Sequence, residues 1–331
     1  MVTRTRRALA ALGLFVTLAA ASPDAARPYL HAQRLVAVED GRRMNLYCTG
    51  SGAPTVVLGT DGDDATPAWR LVQPVLARTM RVCSYDAEGI GFSDPVTGTL
   101  DAARSAGDLH ALLAGAGVRP PFVLVGYSLS GLAARLYADR YPREVAGMVL
   151  VTPNIPYQAA VMAKAAPALA AHLDLTAFLQ RCTTAAERGL LKPGTSWYGR
   201  CVYTPPDPTL PASVRDLIHR QWARPGLWRS FSSAMNAGAA SSAEVVAEQR
   251  SYGRLPLVVL TTTKDIAELP IPAAQRVALT RAWLAAHRAI AQLSDRGVDI
   301  VVPGAHEAIP IERPDVVVAA VRRVAAEALR P

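Results

Sequence analysis

Apolar and polar residues alternate through 34-RLVAVEDGRRMNLYCTG-50, on either side of the Asp40-Gly41 pair. Alternation at period two puts one side of each segment in a core and the other in water. An Asp-Gly pair suits the left-handed positions of a tight hairpin. Two antiparallel strands are therefore predicted at the start of the fold. The pattern then changes to short runs that are apolar on both sides: 54-PTVVLGT-60, 80-MRVCSYD-86, 122-FVLVG-126, 145-VAGMVLVTP-153, 256-PLVVLTTTKD-265 and 298-VDIVVPGAH-306. Helical spacing of apolar positions fills the gaps, near 67–78, 101–115, 129–141 and 272–294 and again from Pro314. Doubly apolar strands alternating with helices predict an α/β fold. Its sheet has eight strands, is mostly parallel and is covered by helices on both faces.

The rhythm breaks once. Residues 154–250 are rich in Ala, punctuated by Pro and helical in pattern, without a clear strand. The chain thus divides into a core made of 30–153 and 251–331 and a helical insertion at 154–250. In open α/β sheets, ligands bind outside the carboxyl ends of the strands, so the insertion is a candidate lid or cap over a site there. It carries Phe178, Trp197, Trp222, Trp228 and Phe231, which either line an apolar substrate pocket or pack the insertion onto the body. His172 and His219 in the same stretch are read as surface or packing residues.

Composition narrows the function. Half of the 331 residues are hydrophobic and 19% are charged, which suits one large folded domain and excludes a disordered chain. Three of the eight excess positive charges sit at Arg4, Arg6 and Arg7, and no longer run of Lys or Arg follows. A nucleic-acid or polybasic membrane role is therefore not indicated. The basic start, followed by the apolar stretch Ala8–Ala21, has the form of a signal peptide over 1–21. It is too short for a stable membrane span, and it places the mature protein in the periplasm or outside the cell. Arg6-Arg7 is a faint match to a twin-arginine signal. The four cysteines, Cys48, Cys83, Cys182 and Cys201, fit an oxidising compartment as two disulfides, with three pairings open.

The chemistry centres on 126-GYSLSG-131, between an apolar strand and a helix. A serine on such a turn is presented at the tip of the sheet. It becomes a nucleophile when a base takes its proton and an acid orients that base. Asp265 and His306 each follow an apolar strand, so both fall on the same sheet edge as Ser128. The order Ser128, Asp265, His306 is that of a serine triad in this kind of fold. Glu268 and Glu307 are the alternative acids nearby.

These segments resemble the α/β-hydrolase superfamily, specifically the esterase-like members with a YDRxGxGxS loop, a GHSxGG elbow and a late GxH. The matching stretches are 46-LYCTGSGAPTVVL-58, 81-RVCSYDAEGIGFSDP-95, 126-GYSLSG-131, 144-EVAGMVLV-151, 256-PLVVL-260 and 304-GAHEAIPIERPDVV-317. The resemblance implies backbone oxyanion donors at Gly62 and Leu129, no cofactor or metal, and a small ester-type substrate. It also sets the second strand beside the fourth, which implies a Cys48–Cys83 bridge and leaves Cys182–Cys201 to clip the insertion. Relatives that open epoxides or remove halogens attack with a carboxylate at the elbow, where this chain has Ser128. A peptidase, amidase, lactonase or perhydrolase, or a non-catalytic binding protein, is the alternative to an esterase. The chain departs from the motifs in four places. Ala87-Glu88 follows Tyr85-Asp86, Tyr127 precedes the serine, Ser130 replaces a glycine, and the oxyanion loop reads 59-GTDGDD-64. Asp61, Asp63 and Asp64 do not form a complete calcium-loop motif and are expected to face solvent or cap the next helix.

Overall fold

A computed structural model describes residues 26–60, 62, 64–95, 97–169, 174–203, 207 and 209–330. The signal-peptide expectation, Asp61, Asp63 and His172 lie outside the described residues.

The eight strands are β1 (Leu35–Ala37), β2 (Arg43–Thr49), β3 (Thr55–Leu58), β4 (Val82–Tyr85), β5 (Phe122–Tyr127), β6 (Val145–Val151), β7 (Leu257–Thr261) and β8 (Gly297–Val301). They form one sheet in the order β1-β2-β4-β3-β5-β6-β7-β8. β1 and β2 form the expected hairpin, and Asp40 and Gly41 both take positive φ, at 60° and 70°. β2 runs antiparallel to β4, and every pairing from β4 through β8 is parallel. The apolar runs explain the layering. Phe122 and Leu124 of β5 face one core with Met148, Leu150 and Val259, whereas Val123 and Val125 face a second core with Val149, Val258 and Leu260.

Helices cover both faces. The 67–78 segment forms a 3-10 turn at Thr66–Trp69 and a short helix, α1 (Gln73–Leu76), rather than one continuous helix. Pro67 and Pro74 both open these turns, where a missing N–H does no harm. α2 (Ala102–Gly115) starts on Asp101, whose side chain accepts from Arg104 N. α3 (Ser130–Arg140) follows β5 directly.

Between β6 and β7 the described residues hold helices and no strand: α4 (Gln158–Ala165), α5 (Leu175–Glu187), α6 (Ser196–Cys201), α7 (Ala212–Trp222), α8 (Pro225–Asn236) and α9 (Gly238–Glu248). After β7 come α10 (Lys264–Glu268) and α11 (Ala273–Ala291), and after β8 come α12 (Ile309–Glu312) and α13 (Pro314–Ala328). The inserted helices share a core of their own built on Leu179, Trp222, Leu227 and Trp228, and it reaches Ala65 and Ile90 of the body. Phe178, Trp197 and Phe231 pack against it, so these aromatics hold the insertion together and onto the body.

Both disulfides are present. Cys48 and Cys83 are register partners across β2 and β4, bonded with a Cα–Cα distance of 4.0 Å. Cys182 of α5 bonds Cys201 of α6 inside the insertion. Among the described residues no helix is long and apolar enough to cross a membrane.

Candidate active site

Ser128 sits between the last residue of β5 and the first turn of α3, with φ of +50°. A non-glycine residue in the left-handed region is strained, and the strain persists because neighbours enforce it. Gly126 is one cause: a Cβ there would lie 2.9 Å from the Gly131 Cα and 3.0 Å from the Ser130 oxygen. Strand and helix therefore cross too closely for any side chain at 126. A Cβ at Gly131 would strike Pro153 at 2.6 Å. Backbone bonds from Ser128 N to Val151 O and from Asn154 N to Ser128 O close the turn.

Ser130 is accommodated by making itself part of that turn. Its hydroxyl accepts from Tyr127 N at 2.8 Å and donates to Tyr127 O at 2.9 Å. The space it needs comes from Gly59 at the end of β3, where a Cβ would meet the Ser130 Oγ at 3.0 Å. A glycine on the facing strand thus compensates for the one missing from the elbow.

The Tyr85-Asp86 loop is pinned through Asp86, which is fully buried. Its carboxylate accepts from Asn45 Nδ2 at 2.8 Å, Thr66 N at 2.7 Å and Phe92 N at 3.0 Å. A Cβ at Gly91, φ +53°, would lie 2.3 Å from that carboxylate. The motif thus ties the loop after β4 to the loop after β3, where the proposed oxyanion donor Gly62 lies. Gly62 lies against Leu129 and Phe231: a Cβ there would come within 2.2 Å of the Leu129 side chain.

His306 lies in the loop after β8, preceded by Gly304 at φ +72°. Its Nδ1 is 2.8 Å from Glu312 Oε1, and its Nε2 is 3.2 Å from Glu268 Oε2. Its backbone N–H also donates to Glu312 Oε2. Two carboxylates on the two ring nitrogens satisfy an imidazolium, and the bond with Glu312, aided by Glu268, raises the pKa of His306 against desolvation and the opposing charge of Lys264. Asp265 instead accepts from the backbone N–H of Glu307 at 2.8 Å.

The Ser128 hydroxyl donates to Asn154 Oδ1 at 3.2 Å. Among the described residues, no hydrogen bond joins Ser128 to His306 or His306 to Asp265. The three do share a sheet edge, and a cavity of about 380 Å³ is lined by Tyr127 of the elbow, Asp265, His306 and Glu312. Asp64 also borders it. It stands near the buried Arg70 and favours that guanidinium's charge against desolvation. Arg70 pairs with Asp207 of the insertion.

Asn154 and Glu312 were not singled out by the sequence. Asn154 follows β6 on the same edge as the other candidates, so its strand-end position was a usable signal. Glu312 meets His306 only because the loop after the histidine folds back through α12.

The profile of a family described as alpha/beta hydrolase fold matches residues 49–178. The uncharacterized protein YbdG of Bacillus subtilis is 27% identical over 121 residues, covering 36% of this chain and 37% of that protein. The chain thus aligns with little more than a third of that relative's length. Among solved structures, an esterase from Thermogutta terrifontis is similar over 90% of this chain and all of its own, with a TM-score of 0.60 and 20% identity. The enol-lactonase of Burkholderia xenovorans covers 88% of this chain and 99% of its own, with a TM-score of 0.58 and 19% identity. At these identities the likeness establishes the fold. The sheet order, the elbow after β5 and the matched profile agree: the chain has the α/β-hydrolase fold.

Proposed function

We propose that the protein is an exported serine hydrolase that cleaves small carboxylic esters by acyl transfer. The observation that carries this reading is Ser128, held at positive φ on the strand-to-helix turn with its hydroxyl already oriented. An amide oxygen is too weak a base to take a serine proton, so Asn154 orients the hydroxyl and His306 is the base. For this, the ring gives up its Nε2 proton to solvent, and the neutral His306 leaves Glu268 and meets Ser128 with the Nε2 lone pair. Ser128 Oγ then attacks the ester carbonyl carbon while its proton passes to Nε2. The N–H groups of Gly62 and Leu129 hold the oxyanion. The proton passes on to the departing alkoxide, and water, deprotonated by His306, releases the acid and restores the serine.

Asp265 is the proposed orienting acid, coming from Glu307 onto Nδ1 as the ring turns. The 2.8 Å contact favours a second reading in which Glu312 keeps that role. Asp265→Asn and Glu312→Gln separate the two: the true orienting acid is the one whose loss lowers kcat by about 10⁴-fold, as for a triad aspartate. Export is supported by the two disulfides and the basic-apolar start of the chain. The test of the whole reading is a panel of short acyl esters with wild type and Ser128→Ala, together with fluorophosphonate labelling. Turnover and labelling should both vanish in the variant. Equal turnover in the two proteins would rule out Ser128 as the nucleophile, and an unlabelled wild type without turnover would leave a binding protein on a hydrolase fold.

A further inference from the structure

A second, smaller cavity of about 60 Å³ lies on the oxyanion side of the elbow, lined by Thr60, Gly62, Glu88, Leu129 and Ser130, with Ala234 and Ser241 from the insertion. Two of its polar residues are almost fully enclosed: Glu88 is 1% exposed and Thr60 2%. Among the described residues, neither Glu88 Oε1 nor Thr60 Oγ1 has a hydrogen-bond partner. Buried polar atoms of this kind are costly unless something else completes them.

The protonation of Glu88 says what would complete it. It stands beside Asp108, which is itself held by both carboxylate oxygens on the buried Arg42, at 2.7 and 2.8 Å. Arg104 approaches Asp108 only to 3.9 Å. One tightly bound guanidinium cannot balance two buried carboxylates. Burial, and then Asp108, push Glu88 up to about 8. Glu88 therefore carries a proton at neutral pH. It turns that proton toward Asp108 and keeps an acceptor oxygen for another donor. Thr60 can donate or accept. The pair suits a single hydroxyl, which donates to Glu88 and accepts from Thr60.

We propose that this cavity is a subsite for a short acyl group bearing a hydroxyl, which hydrogen-bonds Glu88 and Thr60. The proposal rests on Ser128 as the nucleophile, since Leu129 and Ser130 place the cavity beside the acyl carbonyl. It goes beyond that reading in naming the substrate class. A larger or wholly apolar acyl chain would leave both polar groups buried and unpaired.

The test needs no turnover. Binding of a glycolate ester and of the matching acetate ester is measured by calorimetry on Ser128→Ala protein, alone and combined with Glu88→Gln, Glu88→Leu or Thr60→Val. The hydroxyacyl ester should bind about tenfold more tightly, the effect of one well-placed hydrogen bond. Glu88→Gln, whose amide N–H can face Asp108 while its carbonyl oxygen remains an acceptor, should keep the preference. Glu88→Leu and Thr60→Val should abolish it. Equal affinity of the two esters, or an unchanged ratio in Thr60→Val, would overturn the subsite. If Glu88→Leu does not fold, Thr60→Val and Glu88→Gln still decide. If the wild type turns over neither ester while Ser128→Ala still discriminates between them, the catalytic reading fails and the subsite stands.

Discussion

His287 is a buried titratable group whose cost on acidification follows from the structure. It lies on α11 with no exposed surface. Its Nε2 is 3.0 Å from Pro153 O and its Nδ1 is 2.8 Å from Thr261 Oγ1. Only an N–H can face a carbonyl, so Nε2 carries the proton of a neutral ring. Burial pushes the pKa from the ordinary 6.5 down to about 4, and the Pro153 carbonyl opposes the shift only in part. Between those values the unfolded chain takes up a proton that the folded one refuses. The stabilisation is complete above pH 6.5, is lost progressively as pH falls toward 4, and changes no further below that. A difference of about 2.5 pKa units at ~1.36 kcal/mol each gives about 3 kcal/mol. Urea unfolding of the oxidised protein, followed by tryptophan fluorescence between pH ~7.5 and ~4, measures this directly. His287→Gln is the control, because its amide can still donate to Pro153 but does not titrate. Wild type should lose about 3 kcal/mol more than the variant over that range. Parallel pH profiles for the two proteins would refute the assignment of a buried neutral His287.

Two further substitutions probe the site. Ser130→Ala removes the acceptor for the Tyr127 amide inside the elbow, and should lower stability by about 1–3 kcal/mol in urea unfolding. An unchanged midpoint would show that the hydroxyl is not part of the turn. Glu268→Gln removes one of the two carboxylates that hold His306 protonated. The acidic limb of the kcat/KM profile should therefore move to lower pH, and a limb that stays in place would mean that Glu268 does not hold the ring in the working enzyme.

The parts of the fold that were legible depend on local signals. Asp40-Gly41 has the two positive-φ positions that a tight hairpin requires, and the doubly apolar runs of β3, β5 and β7 are strands buried on both faces, whereas β8, at the sheet edge, leaves Ile300 and Val301 exposed. Cys48 and Cys83 were placed correctly because the strand order makes them neighbours. The elbow was legible from its small residues, but the reason Ser130 is tolerated was not: it depends on Gly59, seventy-one positions away in sequence order. Of the partners of His306, Glu268 was already among the alternative acids, whereas Glu312 was hidden: it meets the ring because the chain after the histidine folds back through α12, a path no periodicity specifies. The insertion's aromatics could have served substrate or packing, and only their shared core distinguishes the two.

The orientation of the Ser128 hydroxyl has a cause outside the motif. Asn154 takes that hydroxyl's hydrogen bond, and the carbonyl of the preceding Pro153 is fixed by His287. With Nε2 protonated, His287 Nδ1 presents a lone pair toward Thr261 Oγ1. Thr261 Oγ1 in turn donates to Asp299 Oδ1 at 2.5 Å. Burial raises the pKa of Asp299, against the opposing pull of Thr261 and Arg288. A chain of contacting polar groups therefore runs from Asp299 on β8 through Thr261 on β7 and His287 on α11 to the Pro153 carbonyl in the loop after β6, next to the Asn154 that holds the Ser128 hydroxyl. The hydroxyl that the motif presents is thus oriented from a loop that other elements hold in place, and a change at His287 should be felt at Ser128 without touching it.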